Sequence, residues 1–320
     1  MASLFEKSLL IFSGKGGSGK STVACAAAVA AARRGKRVLI VEIGEEERIS
    51  AIFGNARRSG YAGGQVSMPQ PGIPPIWSMC LTPREALREF AVRSVKFDLL
   101  YQAIFENPVM RYFTAAAPGL NELTLMGKIE YLHRDAVVPA PNARFDLMIF
   151  DAPPTGQVLA LLQASLTAMG MAPVGPLHTM VERMWRLVSN PATTAINIVT
   201  VPEEMSVNEA FDLFAAVQTK GIPSGKVIVN GVHPDFFPHE LAALRQARQR
   251  SAIPSDLTGR VARAVLDAAV SSAVQRAAEE AMSAKLAAGL PLDRVTLPFI
   301  FQPRIGPEEL GTLANALDGC

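Results

Sequence analysis

Short apolar runs recur along the chain at residues 8–12, 37–41, 76–81, 145–150, 195–201, 226–230 and 294–299, and most are continuous rather than alternating. Continuous runs of that length fit strands covered on both faces of a parallel sheet. Between them the apolar positions recur at three- and four-residue spacing, which predicts helices. One follows the first run and reaches about residue 34, where Gly35 suits its C-terminal cap; another begins at Pro83 behind a Thr82 cap. The helical pattern continues over 86–132, broken at Pro118-Gly119, with Leu120, Leu123, Met126 and Ile129 on one stripe. Further helices are predicted at 157–169, 177–188, 203–219 and within 254–289, whose face would carry Leu257, Val261, Val265, Val270, Val274 and Leu286. Arg260, Arg263, Arg276, Glu279, Glu280 and Lys285 would form its solvated side. Residues 55–75, rich in Gly, Pro, Ser and Gln, read as an irregular loop. Strands alternating with helices predict an α/β fold: a doubly wound, mainly parallel sheet of about seven strands with a helical insertion. A single domain over 1–320 is expected, its helical subdomain formed by about 84–135 and 157–190.

The first strand runs into Ser13-Gly14-Lys15-Gly16-Gly17-Ser18-Gly19-Lys20-Ser21-Thr22, and an alanine-rich helix follows. Gly14, Gly19, Lys20 and Ser21 meet the pattern G-x-x-x-x-G-K-[ST] in the strand–loop–helix context that gives it meaning. Glycines are required because the loop must curl several backbone N–H groups around phosphate oxygens. The helix N-terminus adds partial positive charge behind them. Residues 14–22 are therefore the expected phosphate site, with Lys20 neutralising the β/γ-phosphates and the Ser21 hydroxyl on Mg²⁺.

Composition narrows the partners. The chain has 320 residues, 19% of them charged, and a formal net charge of +2, which leaves no electrostatic footprint for nucleic acid. Mean hydropathy is +0.21, so a large core, extensive subunit contact or an apolar binding surface is expected. The first strand begins close to Met1, so no signal peptide is read and a cytoplasmic location is expected. Cys25, Cys80 and Cys320 are scattered without a C-x-x-C pair, which predicts neither a disulfide framework nor zinc.

Acidic residues at strand ends carry the remaining chemistry. The second strand ends in Glu42-Ile43-Gly44-Glu45-Glu46-Glu47, near the phosphates in a doubly wound sheet. Glu46 and Glu47 also suit the first turn of a helix. The strand over 145–150 delivers Asp151, placed as a Walker B carboxylate for Mg²⁺ or its water; capping the next helix is the alternative. From Ala152 to Val181 about thirty residues pass without Asp, Glu, Lys or Arg, longer than the ~20 a membrane span needs. Prolines, glycines and glutamines interrupt the stretch too often for a lone spanning helix, so any membrane contact would be peripheral. Met169, Met171, Met180, Met184 and Trp185 would line an adaptable apolar groove or belong to the core.

The loop form Gly-Lys-Gly-Gly-x-Gly-Lys-Ser-Thr, with Lys15 after the first glycine, resembles the deviant Walker A motif of dimeric P-loop ATPases. That resemblance implies that Lys15 reaches the partner protomer's nucleotide. Asp151-Ala152-Pro153-Pro154-Thr155-Gly156-Gln157 is similar to Switch II of the arsenical-pump and tail-anchored-protein-targeting ATPases. Matches continue in order at Pro118-Gly119-Leu120-Asn121-Glu122, Val201-Pro202-Glu203-Glu204, Val227-Ile228-Val229-Asn230 and 297–306. The resemblance implies an ATP-driven dimer with Mg²⁺, either a homodimer or a heterodimer with a paralogue. It assigns the adenine to Asn230, Pro298, Phe301 and Pro303, and allows hydrophobic membrane-protein clients or a regulatory role beside a paralogue or membrane complex.

Two departures accompany it. Where the family's Switch I carries an aspartate that orients the attacking water, this chain has none, and Glu42 and Glu45 are the candidates left. The family's C-x-x-C zinc clamp and any arsenite-binding cysteine cluster are missing from the sequence.

Overall fold

The computed structural model describes residues 4–56, 58–67, 73–95, 119–135, 145–171, 174, 176–250 and 257–319. The strands are β1 (Leu9–Ser13), β2 (Val38–Ile43), β3 (Gly64–Gln65), β4 (Ile76–Leu81), β5 (Leu147–Asp151), β6 (Thr194–Thr200), β7 (Ser224–Val232) and β8 (Arg294–Pro298). They form one sheet in the order β3-β4-β2-β5-β1-β6-β7-β8. Every neighbouring pair is parallel except the short edge strand β3, which runs antiparallel to β4. β3 lies in the stretch expected to be irregular. It is only two residues long, and strand pairing rather than any apolar run creates it.

The order doubles back on both sides of β1, so the ends of β1, β2 and β5 meet at one place. In register, Phe12 and Glu42 both lie beside Asp151. Period-two alternation sorts the core: Leu9, Ile11, Leu39 and Val41 face one layer of helices, and Leu10, Phe12, Val38 and Ile40 the other.

The helices are α1 (Lys20–Arg33), α2 (Ile49–Ile52), α3 (Pro83–Val95), α4 (Leu120–Asp135), α5 (Thr155–Met171), α6 (Pro176–Ser189), α7 (Glu204–Thr219), α8 (Leu241–Arg250), α9 (Leu257–Gly289) and α10 (Pro307–Leu317). The start of α3 is as expected, with the Glu85 N–H donating to Thr82 Oγ1 at 3.3 Å and the Thr82 hydroxyl to Glu85 Oε2 at 2.7 Å. The C-cap glycine is also confirmed: Gly35 has φ 80° and its N–H donates to Ala32 O. The helices α8 and α10 are additional to those predicted. Residues 96–118 of the expected insertion, including Pro118, lie outside the described residues, as does Cys320.

The reading of α9 needs correction. Val270 and Leu286 are buried, but Val261, Val265 and Val274 are 56%, 64% and 40% exposed, so they do not share a core face. Glu279, expected on the solvated side, is buried at 5% because it accepts from the His233 backbone N–H and sits 2.6 Å from His233 Nδ1. A hydrogen-bonding partner on another segment overrides the polarity pattern there. The methionine stripe is mainly core: Met184 is fully buried, and Met169, Met180 and Trp185 pack against the same cluster. No helix among the described residues is long and apolar enough to cross a membrane.

Helix α1 is buried almost all round, with Ala24, Ala26–Ala28 and Ala30–Ala32 inaccessible to solvent between the sheet and α10. Only small side chains let the helix that opens at the phosphate loop lie so close to the strands. Ala27→Leu is expected to overpack this layer and lower stability by about 1–3 kcal/mol, seen as a lower urea midpoint; an unchanged midpoint would show slack the packing does not suggest.

Candidate active site

The phosphate loop is pinned by two close approaches. Gly14 has φ 155°, and a Cβ there would lie 2.0 Å from Val199 O on β6. Gly19 has φ 84°, and its Cβ would lie 2.2 Å from Asn230 Nδ2 on β7. At both, any other residue would be strained by the positive φ; at Gly14 it would also meet a backbone carbonyl that cannot yield, and at Gly19 it would have to displace the Asn230 amide. Gly16 and Gly17 instead face open space.

Inside this frame, Lys20 Nζ donates to Lys15 O at 3.0 Å, so its ammonium is folded back over the loop. Burial lowers the Lys20 pKa, partly offset by Asp151. The Ser21 hydroxyl donates to Asp151 Oδ2 at 2.6 Å. Asp151 Oδ1 and Ser18 Oγ are buried without a hydrogen-bond partner among the described residues. A buried carboxylate oxygen left unpaired is costly unless something else satisfies it. A hydroxyl and a carboxylate at one point suit a hard cation such as Mg²⁺. Ser13 Oγ donates to Pro153 O at 3.0 Å, tying the first residue of the loop to the segment after Asp151.

From the loop a cavity of about 1030 Å³ extends across the ends of β6, β7 and β8. Gly17, Thr22, Asn230 and Pro298 line it, as does the 201–204 segment. Phe301 and Pro303, assigned to the adenine by resemblance, do not line it: both are exposed, and Phe301 lies edge-on to Phe299 at 4.9 Å. Phe299 and His233 are the aromatic wall instead, stacked with ring centres 4.2 Å apart. Neither is legible from the motif, although His233 follows Asn230 by three residues and Phe299 follows Pro298 directly.

The acidic candidates separate. Glu42 is buried at 3%, and its carboxylate accepts from the backbone N–H groups of Arg48 and Ile49 at 3.0 and 3.1 Å. Both oxygens are thereby occupied at the start of α2. Glu45 is exposed, and Glu47 accepts from the Ser59 and Gly60 N–H groups at 2.8 and 3.0 Å. Arg48 was not singled out by sequence, yet its charge acts on both Lys20 and Asp151.

The description "anion-transporting ATPase" belongs to the family model that matches residues 7–172 and 171–255, most of the chain. The chain belongs to the anion-transporting ATPase family. It is thus an ATPase, and the nucleotide is the ligand the loop is built to hold. Among curated relatives, ATPase BagA of Mycobacterium tuberculosis is 28% identical over 246 residues, covering 73% of this chain and 68% of that protein. The arsenical pump-driving ATPase of Acidiphilium multivorum is 26% identical over 262 residues, but this chain covers only 43% of it. ATPase GET3C of Arabidopsis thaliana is 25% identical over 280 residues, covering 73% of this chain and 69% of that protein.

In this family member two neighbouring carboxyls titrate above the ordinary carboxylate range. Burial pushes Glu42 up to about 7 despite its two backbone donors, and pushes Asp151 up to about 6 despite Ser21 and Lys20. In the unfolded chain both return to roughly 4. The folded state therefore binds the extra protons, and the stability these groups contribute is fully present below about pH 4. It is lost as pH rises to about 7, and the dependence is flat above. The expected result without divalent cation is a thermal midpoint that falls over this range, with a shallower fall in Glu42→Gln. Parallel profiles for Glu42→Gln and wild type would refute the assignment of Glu42.

Proposed function

We propose that the chain is a Mg²⁺-dependent ATPase switch that works as a dimer and relays nucleotide state to its helical layer. The observation that carries this reading is the join between site and helices. Asp151 leaves β5, and four residues later Thr155 opens α5, which packs against α4 and α6. A shift at the metal carboxylate would pass into α5 with no flexible linker between them.

In the resting geometry Lys20 is held by Lys15 O, and it would exchange that carbonyl for phosphate oxygens. The loop N–H groups and the α1 N-terminus bind the phosphates, while Ser21 and Asp151 hold the cation, which would supply charge neutralisation at the β/γ-phosphates. Lys15 is half-buried with its neighbours Gly16 and Gly17 exposed, a position open to a second protomer's nucleotide. The partner is another copy or a paralogue. The helical surface serves hydrophobic, membrane-protein clients, in keeping with the tail-anchored-protein-targeting resemblance. The setting is cytoplasmic, without nucleic acid or zinc.

A second reading is an ATP-gated assembly or regulatory subunit with weak or no hydrolysis. The burial of Glu42 favours it, because a carboxylate only 3% exposed and held by two backbone N–H groups has little access to an attacking water. The inward packing of Met184 favours it too, since that residue offers no groove.

Lys20→Ala is expected to abolish Mg-ATP binding in calorimetry. Lys15→Ala should keep monomer binding while weakening ATP-linked dimerisation in sedimentation; equal dimerisation would remove Lys15 from the interface. For turnover, Glu45→Gln is expected to slow single-turnover hydrolysis about tenfold or more if this carboxylate positions the water, with Glu42→Gln affecting it less. Equal rates in all three proteins would favour the regulatory reading or catalysis supplied by a partner.

A further inference from the structure

The carboxamide of Asn230 does something in this fold that a base-reading role does not require. Its Nδ2 donates to the backbone carbonyl of Ser18 at 3.0 Å, a contact between residues 212 apart in sequence. Because Ser18 offers a carbonyl, the amide must present its nitrogen there, which leaves Oδ1 without a hydrogen bond among the described residues. A trans peptide points its C=O and its N–H in opposite directions. Fixing the Ser18 carbonyl toward β7 therefore fixes the Gly19 N–H away from Asn230.

The loop has two side-chain holds on its backbone, Lys20 on the Lys15 carbonyl and Asn230 on the Ser18 carbonyl. Lys20 must release its carbonyl to meet phosphate. Asn230 need not. Gly19 shows how closely the second hold is fitted, since a Cβ there would overlap the amide nitrogen at 2.2 Å.

We propose that Asn230 is a positioning residue for the phosphate loop: it latches the Ser18–Gly19 peptide so that the Gly19 N–H is aimed at phosphate before nucleotide arrives. Because Asn230 also lines the cavity and its Oδ1 makes no hydrogen bond among the described residues, base and phosphate recognition would be coupled through one residue. The inference rests on the nucleotide reading above, but the latch itself is testable without any ligand.

Backbone hydrogen exchange is followed across residues 14–20 in ligand-free wild type, Asn230→Ala and Asn230→Asp. Asn230→Asp keeps the size of the side chain over Gly19 but replaces the donor with an acceptor, which separates lost packing from the lost hydrogen bond. Faster exchange in this loop in both variants, with β1 and α1 unchanged, is the expected result. Wild-type exchange in Asn230→Asp overturns the latch. Calorimetry then compares Mg-ATP with Mg-tripolyphosphate, which has no base. A lost hydrogen bond of ordinary strength should weaken tripolyphosphate binding to Asn230→Ala roughly three- to tenfold, and ATP by at least that factor. Weakened ATP with unchanged tripolyphosphate makes Asn230 a base reader alone and overturns the proposal. Wild type that binds neither compound overturns the nucleotide reading itself, while the exchange result still decides whether the latch exists.

Discussion

The structure depends on how closely a short loop can approach two strands. Gly14 lies against the Val199 carbonyl, where a side chain has no room, and Gly19 lies against the Asn230 amide. That contact sets the loop on the carboxyl ends of β6 and β7, and so fixes where α1 starts. The alanine surface of α1 carries the same requirement inward: the helix must lie against the sheet if its first turn is to stay behind the phosphates. Backbone proximity, rather than any single strong interaction, is what the rest of the molecule is arranged to preserve.

Electrostatics around Asp151 follow from that placement. The carboxylate sits at the end of a strand covered on both faces, beside Glu42 on the next strand, and among the described residues only Ser21 is bonded to it. Desolvation raises its pKa, and one oxygen stays unpaired. Such a site is unfavourable alone and would be relieved by a cation, so stability and cation binding would draw on the same residue. Glu42 lies in the same desolvated place but is resolved differently, by two backbone N–H groups of the following turn.

At the far end of the cavity the polar logic is that of a clamp. Glu279 of α9 receives His233, and the His233 ring stacks on Phe299. The longest helix in the described structure thus reaches the cavity through a buried carboxylate together with Ala278, Ala281 and Met282, while Val261, Val265 and Val274 remain exposed.

Legible in the sequence alone were the α/β class, most strands, the phosphate loop and a carboxylate, Asp151, at the end of a strand. These depend on local patterns: continuous apolar runs, glycine spacing, and a carboxylate at a strand end. The family resemblance was legible for the same reason, since its motifs are short and contiguous. Which residue each polar group meets is set by the assembled fold. Glu42 looked free to orient water and is committed to Arg48 and Ile49; Glu279 looked solvated and is buried against His233. Phe301 looked like an adenine wall, yet its neighbour Phe299 lines the cavity. In each case the deciding partner lies on another segment, or the side chain's direction depends on how the strand end is turned. Burial and hydrogen bonding are properties of the assembled fold, and no spacing within a single segment encodes them.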